Sequence, residues 1–136
     1  MSWAQSLIKL STYEVETLQK RLAEISDRRM HEVMRLAMLH AEGEAEMAQA
    51  RLDPSSGYQV VAYLEALKAR KEAVQSEIHM LEVEEAGARD ALAQAFEAQK
   101  KYEHIAEQIR LTEKKEADRI EAAEMDEMGL RRSGRR

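Results

Sequence analysis

A chain of 136 residues with 35% charged side chains, a net charge of −5, one Trp and one Phe is a single domain's worth of polypeptide with poor material for a globular core. The absence of cysteine excludes a disulfide framework, a thiolate zinc site and a cysteine nucleophile. Five Gly, one Pro and heavy use of Ala, Glu, Lys, Arg, Leu and Gln favour helix over disorder, and no strand-like alternation of Val, Ile or Thr interrupts it.

The opening "MSWAQSLIKL" lacks a basic leader followed by a sustained apolar run. No later window reaches the roughly 18 apolar residues of a membrane span, so a soluble, cytoplasmic chain is expected. Helix 1 is predicted over about 5–52. Its apolar line starts as Ile8, Val15, Leu18, Leu22 and Ile25 at three-four spacing, with Ser11 as one polar interruption. Arg29 and Glu32 then fall where seam residues are due, and an apolar line restarts at Met30, Met34, Ala37, Ala41, Ala45, Ala48 and Leu52. A register slip is therefore expected, with the Ala-rich part allowing close helix approach.

Turn chemistry follows at about 53–57, "DPSSG", with the only proline. Ser56 followed by Gln59 predicts a capping box for helix 2, expected over about 58–128. Two long helices joined by so short a turn fold back most economically as an antiparallel pair, each burying its seam on the other. The expected fold is thus all-α, a two-helix coiled-coil hairpin forming a single domain.

Helix 2 carries a heptad register from Leu64 through Leu67, Lys71, Val74, Ile78, Leu81, Glu85, Ala88, Leu92, Ala95, Gln99, Tyr102, Ala106 and Ile109, and on through Glu113, Glu116, Ile120, Ala123, Glu127 and Leu130. Fourteen of those twenty positions are apolar, so the pattern asks for a helix alongside. At about 1.5 Å per residue it amounts to a rod on the order of 105 Å, longer than helix 1 can match. A turn near residue 55 pairs residue i with about residue 110 minus i, which leaves everything beyond about 107 without an intrachain partner. That overhang still keeps Ile109, Ile120, Ala123 and Leu130 and adds Met125 and Met128. A helix that docks into something else needs such an edge; an isolated one does not.

Signals for chemistry fail in turn. No glycine-rich phosphate loop occurs, and the histidines at 31, 40, 79 and 104 lack paired-ligand spacing. His40 with Glu44 one turn on offers two ligands, too few for a metal site. Neither a cofactor nor an enzymatic activity is expected. Residues 58–128 carry ten Lys and Arg against seventeen Asp and Glu, a net of minus seven that repels nucleic acid. Only the tail, 129–136, is basic, and it follows the heptads where a leucine-zipper factor has its basic region before them. Tyr58 and Tyr63 flank the turn in an aromatic-poor chain, either to close the hairpin end or to present a docking patch.

The "SLIKL" start, the "LQKRLAEI" heptads, the turn, the restart from Tyr58 to the "YLEAL" of Tyr63–Leu67, the acidic coiled coil and the closing "EMDEMGLRR" together resemble the flagellar export protein FliJ family over the whole chain. The resemblance implies a coiled coil similar to the rotor stalk of rotary ATPases, within the flagellar type III export apparatus that assembles the flagellum for motility. It implies that the end carrying both termini enters the ring of the export ATPase FliI, that the tip side engages the export gate FlhA, and that export chaperones are escorted. Matched by position, the gate side falls on Tyr63, Leu67 and Val74, and the ATPase side on Leu7, Ile8, Ile109, Ile120 and Met125. It implies a cytoplasmic protein held peripherally at the inner membrane. The chain departs from the family pattern on helix 1 near the tip, where Met34, Met38 and small residues replace aromatics, and its loop is shorter. The rival readings are an injectisome stalk of the same architecture, or a structural coiled coil that dimerises by burying residues 109 to 130; the stalk reading leaves that segment free.

Overall fold

The computed structural model describes residues 3–134. Helix α1 spans Trp3–Leu52, a three-residue 3-10 turn spans Pro54–Ser56, and helix α2 spans Gly57–Gly134. The two long helices pack against each other as an antiparallel hairpin whose second arm is the longer, and no strand occurs among the described residues. By internal contacts the chain divides into two compact units. One comprises Glu16–Ala93 and holds the turn; the other comprises Met1–Val15 with Gln94–Arg136.

The reversal is made by Asp53, the one residue between α1 and the 3-10 turn. Its extended backbone (φ −131°, ψ 91°) suits a residue before proline. Pro54 then sits at the first position of the 3-10 turn, where a missing N–H costs nothing. The Asp53 carboxylate accepts from the Ser55 N–H at 3.2 Å and from the Ser55 hydroxyl at 2.6 Å. The expected Ser56 capping box does not form. Ser56 instead donates its hydroxyl to the Asp53 carbonyl at 2.8 Å, because it closes the 3-10 turn that runs directly into α2. Gly57 itself is right-handed (φ −56°), so the reversal needs no left-handed residue.

In the turn-bearing unit the core is two small clusters of alternating origin. Leu22 and Ile25 meet Leu81 and Ala88; Leu36 and Leu39 meet Tyr63, Leu64, Leu67, Val74 and Ile78. Leu67 and Leu81 are the largest wholly enclosed side chains. The heptad expected on α2 is the buried one: every position of that register from Leu64 to Ile109 is buried or half-buried.

On α1 the expected register slip does not occur. The three-four phase set by Leu22 and Ile25 continues through Arg29, Glu32, Leu36, Leu39, Gly43, Glu46 and Ala50, all buried or half-buried, while Met30, Met34, Ala37, Ala41, Ala45, Ala48 and Leu52 are all exposed. The physical reason is a polar layer in the seam. Arg29 donates to Glu85, itself a seam residue that is 3% exposed, and Arg89 donates to the other carboxylate oxygen of Glu85 at 2.5 Å. A buried carboxylate so paired keeps Arg29 inward, and a polar pair at one core level is a device that fixes helix register. About four turns nearer the tip, Gly43 brings the helices close enough that a Cβ there would lie 2.7 Å from Leu67 Cδ2.

The second unit uses the same economy. Ser11, the polar interruption of the sequence pattern, is buried and donates its hydroxyl to the Ile8 carbonyl at 2.8 Å, so its polarity is absorbed by its own helix. Gln99 Nε2 donates to Thr12 Oγ1 at 3.0 Å across the helices. Thr12 with Gln99, Arg29 with Glu85 and Glu42 with Tyr63 follow the pairing expected from a reversal near residue 55. Helix α2 also runs beyond the expected end at about 128, through Gly129 to Gly134. Arg131 donates to Glu127 at 3.0 Å one turn back, which offsets part of the roughly 1 kcal/mol cost of an interior glycine.

Candidate partner-binding surfaces

Two surfaces follow from the sequence, one on the turn side and one on the side of the termini. On the turn side, Leu67 is 1% and Val74 4% exposed, and both are core residues facing α1. A partner reaching them would have to part the helices. Tyr63 is only half-buried. Its ring packs on the cluster formed with Leu67 and Val74, and its hydroxyl donates to the Glu42 carboxylate on α1. That bond favours the protonated phenol and raises its pKa above the usual tyrosine value. Beside Tyr63 lies a shallow, mainly polar groove of about 510 Å³ bordered by Glu46, Gln49, Asp53, Gln59 and Val60. Tyr58, by contrast, is 95% exposed and closes nothing.

On the side of the termini, Leu7, Ile8 and Ile109 are half-buried. Ile8 lines a groove of about 420 Å³ with Ala4, Ala106 and Ile109, edged by Glu107 and Arg110. Arg110 grips Glu107 with two bonds of 3.0 and 2.7 Å, which holds that carboxyl below the ordinary glutamate range and raises the guanidinium. Arg119 does the same to Glu116 one segment further on, at 3.2 and 2.7 Å. These pairs lie along the helix itself, three residues apart, and stabilise it without help from α1.

Beyond Ile109 the covering helix is gone, and every residue from Leu111 to Gly134 is exposed. Ile120 is 47% and Met125 66% exposed, with Met128 and Leu130 also open. Ile109, Ile120, Ala123 and Leu130 still fall on one face by their spacing, whereas Met125 and Met128 lie on another. The structure thus brings Ile8 and Ile109 to one groove, leaves Leu7 half-buried outside its lining, and strings Ile120 and Met125 along the uncovered helix.

Among the described residues no group of three His, Asp or Glu converges to hold a metal, and no helix is long and apolar enough to cross a membrane. What sequence reasoning assigned to the wrong face is the line from Met30 to Leu52. Its signal is plain apolarity, and the phase of the preceding heptad, read on through Arg29, would have placed it outside.

Comparison with known proteins agrees with this architecture. The sequence model of the family described as "Flagellar FliJ protein" matches residues 4–136. Proteins described as "Flagellar FliJ protein" from two strains of Caulobacter vibrioides, NA1000 / CB15N and ATCC 19089 / CIP 103742 / CB 15, are each 52% identical over 131 residues. Each alignment covers 96% of this chain and 94% of the relative. No solved structure matches the chain significantly.

Proposed function

The chain belongs to the flagellar FliJ family, and from that membership we propose that it is a non-enzymatic stalk of the flagellar export apparatus, linking the export ATPase ring to the export gate and escorting export chaperones. The observation that carries the reading is the uncovered segment of α2. A heptad face with Ile120, Ala123 and Leu130 persists for 21 residues beyond Ile109, to Leu130, and every described residue after Ile109 is exposed. Exposed apolar edges of that length mark docking sites.

In this reading the terminal end, with Leu7, Ile8, Ile109, Ile120 and Met125, enters the ring of FliI. The hairpin of Glu16–Ala93 presents Tyr63 toward FlhA, with Leu67 and Val74 beneath it holding the ring in position. A helical hairpin suits this role because it carries two different surfaces on rigid elements and offers each ring subunit a different face. The protein acts in the cytoplasm, peripherally at the inner membrane, through these partners. The 52% identity to a flagellar protein favours the flagellar over the injectisome setting.

Pull-down of the full chain with FliI and with FlhA tests the proposal. Ending the chain after Ile109 should abolish stimulation of ATP turnover while gate binding persists, and Tyr63→Ala should do the reverse. An intact hairpin that binds neither protein would contradict it.

A further inference from the structure

The line that sequence alone assigns to the seam of α1 faces away from α2. Met30, Met34, Ala37, Ala41, Ala45, Ala48 and Leu52 are all exposed, Met34 at 66%, and none is charged in a chain that is 35% charged. The true seam on the same stretch holds Arg29, Glu32, Gly43 and Glu46, so the outer line is the more apolar of the two. Its spacing is symmetric. Counted from Ala41, stripe residues recur at four, seven and eleven positions in both directions. A two-fold axis through Ala41 therefore brings every member level with another member of the same line on an antiparallel copy.

The levels also taper. Ala41 meets itself and Ala37 meets Ala45, small side chains that let two backbones approach closely at the centre; Met34 meets Ala48, and Met30 meets Leu52 at the two ends. On one flank, exposed Val33 comes within about 3 Å along the axis of the level of Met47 on the second copy. The same flank carries Glu44, which comes equally close to the level of His40 on the second copy. The symmetric spacing averages 3.67 residues per turn, which suits two nearly straight helices better than a left-handed supercoil.

We infer that the outer face of α1 between Met30 and Leu52 is a self-association surface, on which a second copy of this chain packs antiparallel with its two-fold at Ala41. A self-complementary patch of this kind is what an isologous dimer requires. The strip is about 33 Å long and one helix wide, which puts the contact at the small end of specific interfaces, below about 1,200 Å² in total. The dimer is accordingly a dissociable one.

Sedimentation of the full chain from about 5 to about 500 µM, the range in which interfaces of this size assemble, should show a concentration-dependent dimer. Ala41→Glu places two carboxylates at the two-fold and should give a monomer over that range with an unchanged helical circular dichroism spectrum, since Glu is a good helix former. The chain has no cysteine, so single cysteines report geometry. Ala41→Cys should oxidise to a covalent dimer, whereas Met30→Cys should not, its two copies lying about 33 Å apart along an antiparallel pair. A chain that stays monomeric throughout, a dimer that survives Ala41→Glu, or a Met30→Cys chain that links to itself as readily as Ala41→Cys would each overturn the inference.

Discussion

Two stretches of α2 carry the same kind of heptad and live in different environments. From Leu64 to Ile109 the register is buried or half-buried beneath α1; from Leu111 to Gly134 every residue is exposed, although Ile120, Ala123 and Leu130 keep the register. In the first stretch an apolar side chain holds the hairpin together. In the second it contributes nothing to the folded chain alone, and the stretch stays helical through local means such as the Arg119–Glu116 and Arg131–Glu127 pairs. The difference separates apolar residues kept for stability from apolar residues available to a partner, which periodicity by itself does not do.

Truncation breaks that comparison most sharply. Leu81→Ala, removing a wholly enclosed side chain, should cost about 2–5 kcal/mol in denaturant unfolding. Ile120→Ala should stay within about 0.5 kcal/mol of the parent in the same assay, yet weaken ATPase binding by roughly tenfold if that face docks.

The polar layer comes next. Arg29→Leu removes one of two partners from the enclosed Glu85 and should cost about 1–3 kcal/mol. Adding Glu85→Leu should restore most of the loss, and a thermodynamic cycle over the two positions checks it. The same double variant should loosen the helix register, visible as broadened distances between spin labels at positions 42 and 63.

Glycines sharpen the contrast at smaller scale. Gly87→Ala meets open space and should stabilise the chain by about 0.5–1 kcal/mol through helix propensity alone. Gly43→Ala should forfeit that gain, because its Cβ would press on Leu67. Thermal melts of the two variants should therefore move apart.

The smallest effect is acid sensitivity of the uncovered helix. Glu107 and Glu116 are held below the ordinary glutamate value of 4.5 by Arg110 and Arg119. Their contribution is therefore fully present above that value and lost as pH falls below it, through their folded pKa. In circular dichroism of a peptide covering 105–134, Glu116→Gln should remove part of the acid-sensitive helicity.

Much of this was legible in the sequence. The hairpin, the lopsided arms and the α2 register all follow from one proline-bearing turn and an apolar heptad that stays in phase. The second half of α1 was not legible, because there the buried line is Arg29, Glu32, Leu36, Leu39, Gly43, Glu46 and the exposed line is Met and Ala. Apolarity points to the outer line. What places the inner one is the phase carried on from Ile25 and the pairing of Arg29 with Glu85, a tertiary contact across 56 residues of sequence. The same limit applies to Leu67 and Val74, whose match to a family pattern says nothing about which way they face.

Hydrogen exchange along α2, measured on the chain alone and with the hexameric export ATPase, tests the central claim most directly. The account predicts slow exchange up to about Ile109 and fast exchange from Leu111 onward in the isolated chain, with the second segment becoming protected on addition of the ATPase. Equal protection of both segments in the isolated chain, or a second segment that stays unprotected in the presence of the ATPase, would contradict it.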